Sequence, residues 1–221
     1  MTDLSQSAPK SQRKMSKFLL LVLLFCIPGF LLVMTRFFIL RPFSNPSSSN
    51  VPNLVVGDYI FVSRLPYYVG DPQRGDIAVF ALPSNPEIEY VKRVIGLPGD
   101  RAQIKLGRLY LNGEIVDRVP EALPANFPGM GEVQFYRETL PGGRSYVISE
   151  VSDSGALDDT DEYLVPEGTY FLLGDNRDNS MDSRILDQIG FVPRANFIGR
   201  FAFRYWNSEG VPLVGRPSET Y

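Results

Sequence analysis

An uninterrupted apolar run near the N-terminus constrains this chain more than any other feature. Residues 18–35 read FLLLVLLFCIPGFLLVMT, eighteen residues without a charge, and four more apolar residues follow Arg36. A helix of this length can cross the hydrocarbon core of a bilayer, or nearly so. We therefore predict a transmembrane anchor over residues 18–40, with the rest of the chain folding beside the membrane.

A cleaved signal peptide is the alternative interpretation of the same run. Signal peptides have an apolar core of about 7–15 residues, followed by small residues at the cleavage site. Here the run is longer, and bulky apolar residues and Arg41 follow it, which favours a retained anchor. Four basic residues precede the run: Lys10, Arg13, Lys14 and Lys17. The positive-inside rule then places residues 1–17 in the cytoplasm and the chain after about residue 41 outside it.

Composition excludes several classes of function. The formal net charge of −3 argues against nucleic acid as a partner. The single cysteine, Cys26, cannot form an intramolecular disulfide. The chain has no histidine, which removes Ser-His-Asp and Cys-His catalysis and the commonest zinc ligand. A hydrolase built from this chain therefore needs another base.

The chain beyond residue 41 has the pattern of an antiparallel β protein. Short runs rich in Val, Ile, Phe and Tyr alternate with Gly, Pro and Asp, and none shows a clean helical period. Asn112-Gly113 between two such runs predicts a hairpin. Residues 118–162 are first rich in Pro and Gly and then acidic. We predict a mainly β fold, in which a β-rich, non-catalytic subdomain (103–164) is inserted into a catalytic core formed by residues 41–102 and 165–221.

Lys92 lies within one of these strand-like runs, Tyr90 to Ile95. In a strand it shares a face with Tyr90 and Val94, while Val91, Arg93 and Ile95 share the other. A lysine inside a β core is costly unless its charge is suppressed or paired. The alternative is an edge-strand lysine that points to water, a common device against aggregation.

Two further polar segments are candidates for chemistry. Ser47, Ser48 and Ser49 follow the predicted anchor closely, and residues 174–184 read GDNRDNSMDSR after an apolar run. Interleaved Asp and Arg in the second segment favour a paired network. The alternative is a well-ordered polar turn without a further role.

The segments that carry these residues resemble bacterial type I signal peptidases, the membrane-anchored serine peptidases of family S26 that remove signal peptides from exported proteins. The resembling segments occur in the family's order: PSSSNVPNLVVGDYIFV (46–62), RGDIAVF (74–80), YVKRVIGLPGD (90–100), GDNRDNSMDSR (174–184) and GFVPRANFIGR (190–200). The third and fourth are long and specific. The resemblance implies a serine–lysine dyad with no metal or organic cofactor, in agreement with the absence of histidine.

Roles for individual residues follow from the resemblance. Ser49 aligns with the nucleophile, Lys92 with the general base, Ser47 with the oxyanion-hole serine, and Ser180 with the serine that orients the lysine. A charged network beneath the site is implied for Arg93, Asp175, Asp182 and Arg184. The S1 subsite would be lined by Pro46, Ser47, Asn50, Leu54, Tyr90 and Val91. The S3 subsite would be lined by Phe43, Asn45, Ile60, Val79 and Val91.

Three asparagines depart from the family pattern. Asn45 stands where an apolar residue is common, Asn50 where Met is usual and Asn53 where Thr is usual. A catalytically silent, membrane-anchored binding protein of the same fold is therefore one alternative, and a dedicated peptidase with few substrates is another. The implied partners are signal peptides of secreted preproteins and the lipid bilayer, with the secretion translocon as a further candidate. The implied location is the bacterial inner membrane, with the catalytic domain on the periplasmic face.

Overall fold

The computed structural model describes residues 17–123 and 133–212. Residues 1–16 of the predicted cytoplasmic segment lie outside this description, as do residues 124–132 of the predicted insert and 213–221 of the predicted core. The chain divides into two compact units, Met1–Phe37 and Phe38–Tyr221. The strands and the candidate site all belong to the second unit.

The N-terminal apolar run forms helix α1, Lys17–Phe38. Side chains from Leu20 to Val33 are exposed. Within residues 17–123 and 133–212, no helix meets the length and hydropathy that a membrane crossing requires. The predicted anchor over residues 18–40 stays a prediction.

The regular secondary structure of the second unit is almost entirely β-strand. Two short helical segments accompany them, α2 (Leu65–Val69) and a 3-10 turn (Arg194–Asn196). The strands are β1 (Leu40–Asn45), β2 (Asp58–Ser63), β3 (Ile77–Leu82), β4 (Asn85–Gly96), β5 (Arg101–Lys105), β6 (Arg108–Leu111), β7 (Glu114–Ile115), β8 (Asp117–Pro120), β9 (Gln134–Thr139), β10 (Ser145–Glu150), β11 (Tyr163–Leu164), β12 (Thr169–Leu173), β13 (Val192–Pro193) and β14 (Phe197–Asn207).

These strands form three sheets with antiparallel neighbours. The large sheet has the strand order β1-β2-β14-β3-β4-β12-β13. The two smaller sheets have the orders β11-β5-β6-β7 and β10-β9-β8. The predicted mainly antiparallel β fold is confirmed.

The smaller sheets account for the β-rich insert. Strand β5 begins at Arg101 and so crosses the predicted boundary of the insert at residue 103. Asn112 and Gly113, with φ of 54° and 83°, join β6 to β7, which confirms the predicted hairpin. The insert shares one buried core with the large sheet, because Ile95 and Phe171 pack with insert residues such as Leu109.

Strand β4 is an inner strand, with β3 on one side and β12 on the other. Tyr90 and Val94 pack into one apolar cluster, while Val91 packs into another, which confirms the predicted alternation of faces. Lys92 is only 2% exposed. The alternative of an edge-strand lysine pointing to water is therefore wrong.

The large sheet curls so that its first strand meets β4. Although β2, β14 and β3 separate the two strands in the sheet order, Arg41 Nη1 of β1 donates to Glu89 Oε1 of β4 at 2.7 Å. Strand β1 pairs only with β2, and β12 pairs with β4 only from Arg93 onwards. Among the described residues, β1 and the first half of β4 thus each have one unpaired edge.

Candidate active site

Ser49 and Lys92 meet at the base of the loop that joins β1 to β2. Lys92 Nζ donates to Ser49 Oγ, and both residues are buried. The Ser47 hydroxyl donates to Ser49 Oγ at 3.1 Å and accepts the Ser49 backbone N–H at 3.2 Å. Ser48 takes no part in this group, because its Oγ accepts a hydrogen bond from Asn179 Nδ2 at 3.0 Å. The geometry therefore separates the two adjacent serines, which the sequence could distinguish only by motif spacing.

Burial controls the charge of Lys92. Desolvation lowers the pKa of its amine from 10.5 to about 8, against the opposing effect of Asp182 and Asp175. Loss of hydration disfavours the ammonium form more than the two carboxylates favour it. Near pH 8, an appreciable fraction of Lys92 is thus neutral and able to accept a proton.

Two of the three asparagines that depart from the family pattern, Asn50 and Asn53, hold the loop that carries Ser49. Asn50 Nδ2 donates to the Val91 carbonyl of β4 at 2.6 Å, directly beside Lys92. Asn53 Nδ2 donates to the Val147 carbonyl at 2.6 Å and to Asp175 Oδ2 at 2.7 Å. These bonds link the loop to two strands, so the substitutions support the local geometry.

Residues 174–184 pack under the serine and the lysine as a paired network. Arg93 donates to both oxygens of Asp175, at 2.7 and 2.8 Å, and both side chains are buried. Arg184 donates to both oxygens of Asp182 at 2.9 Å. Burial opposes ionisation of Asp182, yet Arg184 outweighs it and the pKa of that carboxyl is lowered. The loop is therefore an ordered turn whose buried Arg–Asp pairs pack beneath Ser49 and Lys92.

Ser180 lies in the same loop, close to the segment that carries Ser49. Its Oγ is buried and forms no hydrogen bond of normal geometry with the described residues, although its hydroxyl contributes to the lowered pKa of Asp182. A Cβ placed on Gly174 would come within 2.1 Å of Ser180 Oγ and 2.5 Å of the Ser49 carbonyl oxygen. Glycine at 174 is what lets these two segments approach. Orientation of Lys92 by Ser180 stays a prediction.

A third buried ion pair, between Arg177 and Glu138, was not identified from the sequence. Arg177 donates to Glu138 Oε1 at 3.0 Å, and the Tyr146 hydroxyl donates to Glu138 Oε2 at 2.8 Å. The guanidinium of Arg93 stacks 4.0 Å from the Tyr146 ring centroid, which joins this pair to the Arg93–Asp175 pair. Arg177 belongs to the 174–184 motif, but its partners lie in the insert. No local pattern indicated that contact.

A cleft of about 470 Å³ opens onto Ser49 and Lys92 between the unpaired edges of β1 and β4. Six of the predicted subsite residues line it: Phe43, Asn45, Pro46, Ser47, Tyr90 and Val91. Four others are buried and do not line it: Asn50, Leu54, Ile60 and Val79. The cleft also contains Ser44, Ile88 and Glu89, which the sequence did not indicate.

The chain is similar in sequence to known proteins of one family. Residues 15–206 match the family model described as signal peptidase, peptidase S26. Signal peptidase I of Pseudomonas aeruginosa is 40% identical over 84% of this chain and 71% of its own length. Signal peptidase I of Rickettsia prowazekii is 35% identical over 79% of this chain and 75% of its own length. A solved signal peptidase I from Enterococcus faecalis is 30% identical, with a TM-score of 0.36, over 60% of this chain and 98% of that chain.

The family match and the curated relatives define the class of the protein as a hydrolase, a serine endopeptidase. The chain contains no histidine, and its Ser49 contacts the buried Lys92. More particularly, the chain belongs to the signal peptidase family, peptidase S26.

Proposed function

We propose that this protein cleaves N-terminal signal peptides from exported preproteins with Ser49 as nucleophile and Lys92 as general base. One observation carries the proposal: the buried amine of Lys92 contacts Ser49 Oγ, and no other base is needed. A serine hydroxyl is a weak nucleophile unless a base within hydrogen-bond reach accepts its proton. The relatives named Signal peptidase I supply the substrate class.

The reaction begins from neutral Lys92. The Ser49 hydroxyl gives its proton to Nζ as Oγ attacks the carbonyl carbon of the last signal-peptide residue. The amide C–N bond then breaks, and the ammonium of Lys92 protonates the amine of the released mature chain. Neutral Lys92 next accepts a proton from water as the water oxygen attacks the acyl-enzyme ester. The ester C–O bond to Ser49 then breaks, and the ammonium of Lys92 returns the proton to Ser49 Oγ.

Ser47 is the proposed oxyanion donor together with the Ser49 backbone N–H. The Ser49 N–H donates a hydrogen bond to Ser47 Oγ at 3.2 Å, and the Ser47 hydroxyl donates to Ser49 Oγ at 3.1 Å. Rotation of the Ser47 hydroxyl would release the N–H and direct both donors to the developing oxyanion. Loss of one such donor typically costs about 10²–10³ in turnover.

The cleft suits a substrate in extended conformation. A peptide strand between β1 and β4 would find one unpaired edge on each side and could hydrogen-bond to both. In an extended strand, alternate side chains share one face, so the first and third residues before the scissile bond would point to the cleft floor. The Arg41–Glu89 ion pair would have to break to admit such a strand. The free-energy cost of breaking it is small, because both side chains are partly exposed.

We also propose that residues 18–40 retain the protein at a bacterial membrane, with the catalytic unit on the periplasmic face. The support is the sequence, which has eighteen residues without a charge and basic residues before them. Under this proposal, the protein stays in the membrane pellet after alkaline carbonate extraction, whereas a peripheral protein is released. Recovery of the full-length chain in the supernatant would contradict the anchor.

Parallel assays of Ser48→Ala and Ser49→Ala test the nucleophile. Ser49→Ala should abolish cleavage of a model preprotein, because it removes the attacking oxygen. Ser48→Ala is the matched control, since it loses only the hydrogen bond from Asn179 and should stay within a few-fold of wild type. Cleavage by Ser49→Ala at the wild-type rate would refute the assignment.

Cleavage of one preprotein among many tested would favour the dedicated-peptidase alternative.

A further inference from the structure

Asn45 is a polar side chain in the wall of the substrate cleft. It ends β1, it is 2% exposed, and it lines the cleft with Ser47 and Ser49. Its neighbour in the alternating pattern of β1, Phe43, lines the same cleft. An amide at this position is therefore buried beside the path proposed for the peptide.

The hydrogen bonds of Asn45 determine which end of the amide is free. Nδ2 donates to the carbonyl of Ser47 at 2.9 Å and to the carbonyl of Val55 at 2.8 Å. Carbonyl oxygens only accept, so the nitrogen must occupy this end, and both of its hydrogens are used. Among residues 17–123 and 133–212, no group donates to Oδ1. Oδ1 is thus an acceptor without a donor among these residues, on a side chain that lines the cleft.

We propose that Asn45 Oδ1 selects a hydroxyl-bearing side chain in the signal peptide, at the first or the third residue before the scissile bond. This inference rests on the proposed function. Those two residues are the ones whose side chains face the cleft floor in an extended peptide. A serine there satisfies Oδ1, whereas an alkyl side chain removes water from Oδ1 and leaves it without a partner.

The expected preference follows from hydrogen-bond energetics. A substrate that makes one hydrogen bond to Oδ1 should have a kcat/KM about fivefold higher than a substrate that makes none. Desolvation of the unpaired acceptor by an alkyl side chain increases this ratio further. The comparison must keep the volume constant, because the cleft also selects on size. Serine and 2-aminobutyrate meet this condition, since they differ by a hydroxyl in place of a methyl group.

The experiment uses the full-length protein in detergent and synthetic preprotein peptides with serine or 2-aminobutyrate at each of the last three signal-peptide positions. We expect serine to be preferred at least about fivefold at the first or third position before the bond. The second position is the internal control, because its side chain points away, and there the ratio should be near one. In Asn45→Leu, the preference should disappear at the sensitive position.

The outcomes separate this inference from the proposed function. If cleavage depends on Ser49 but the serine ratio is one or less at both the first and third positions, the role of Asn45 is overturned and the function stands. If no peptide is cleaved, or if Ser49→Ala cleaves normally, the proposed function itself fails. If Asn45→Leu does not fold, the ratios in the wild-type protein alone decide.

Discussion

Lys92→Met is expected to lower preprotein cleavage by about 10²–10⁴-fold, the usual contribution of a positioned general base. Methionine keeps the length and apolar character of the lysine stem but cannot accept a proton from Ser49. Cleavage of a model preprotein by full-length protein in detergent measures the effect. Lys105→Met is the matched control, because Lys105 is exposed and distant in sequence from the site, and it should cleave at the wild-type rate.

Lys92→Met should also raise the free energy of unfolding at pH 7. This result would show that its loss of activity does not come from loss of structure. In the folded state the pKa of Lys92 is about 8, against 10.5 for the ordinary side chain. Burial of the ammonium form therefore lowers the free energy of unfolding. This cost increases as the pH falls from 10.5 to 8, and below pH 8 it stays constant at about 3 kcal/mol. Lys92→Met removes this cost, so its advantage in denaturant unfolding should vanish near pH 11.

The pH profile of the wild-type enzyme follows from the same pKa. Only neutral Lys92 can act as base, so kcat/KM should rise about tenfold per pH unit below 8 and level off above it. A profile that is flat from pH 6 to 9, with chemistry rate-limiting, would contradict a lysine base. So would a Lys92→Met protein that retains full activity.

Arg93→Met is expected to destabilise the protein by about 3–5 kcal/mol, the usual cost of leaving one buried charge without its partner. Arg93 holds Asp175 through two hydrogen bonds, and both side chains are almost completely inaccessible to solvent. Asp175 in turn accepts a hydrogen bond from Asn53 in the loop that carries Ser49, so cleavage should fall as well. Denaturant unfolding of the full chain measures the first effect.

Two comparisons make this second prediction specific. Arg101→Met removes an ion pair whose side chains are 56% and 40% exposed, and it should change stability by less than about 1 kcal/mol. The double variant Arg93→Met/Asp175→Asn removes the charge on both sides and should recover part of the lost stability. If the double variant is less stable than Arg93→Met alone, an uncompensated charge is not the cause.

Much of this site could be predicted from local patterns. The strand-like run around Lys92 predicted a strand with alternating faces, and β4 has that geometry. The same run left open whether the lysine is interior or points to water at an edge. Asn112-Gly113 predicted a hairpin that the backbone dihedrals confirm. These features depend on residues within a few positions of one another, where side-chain period and turn preference dominate.

Contacts between distant segments could not be predicted in this way. No local pattern indicates that Asn50 donates to Val91, 41 residues away, or that Asn53 donates to Val147 and Asp175, 94 and 122 residues away. Arg177 could be seen as part of a polar motif, but its partner Glu138 lies 39 residues away in another sheet. Conversely, four predicted subsite residues proved to be buried behind the cleft wall.

By itself, the sequence excluded histidine-based catalysis, because the chain has no histidine. Its resemblance to signal peptidases predicted a hydrolase with a serine–lysine dyad. Only the tertiary structure decided which serine meets the lysine and how far the pKa of that lysine falls. The physical reason is that both depend on how the curled sheet packs β1, β4 and the 174–184 loop together, since desolvation and hydrogen-bond geometry are properties of that assembled neighbourhood.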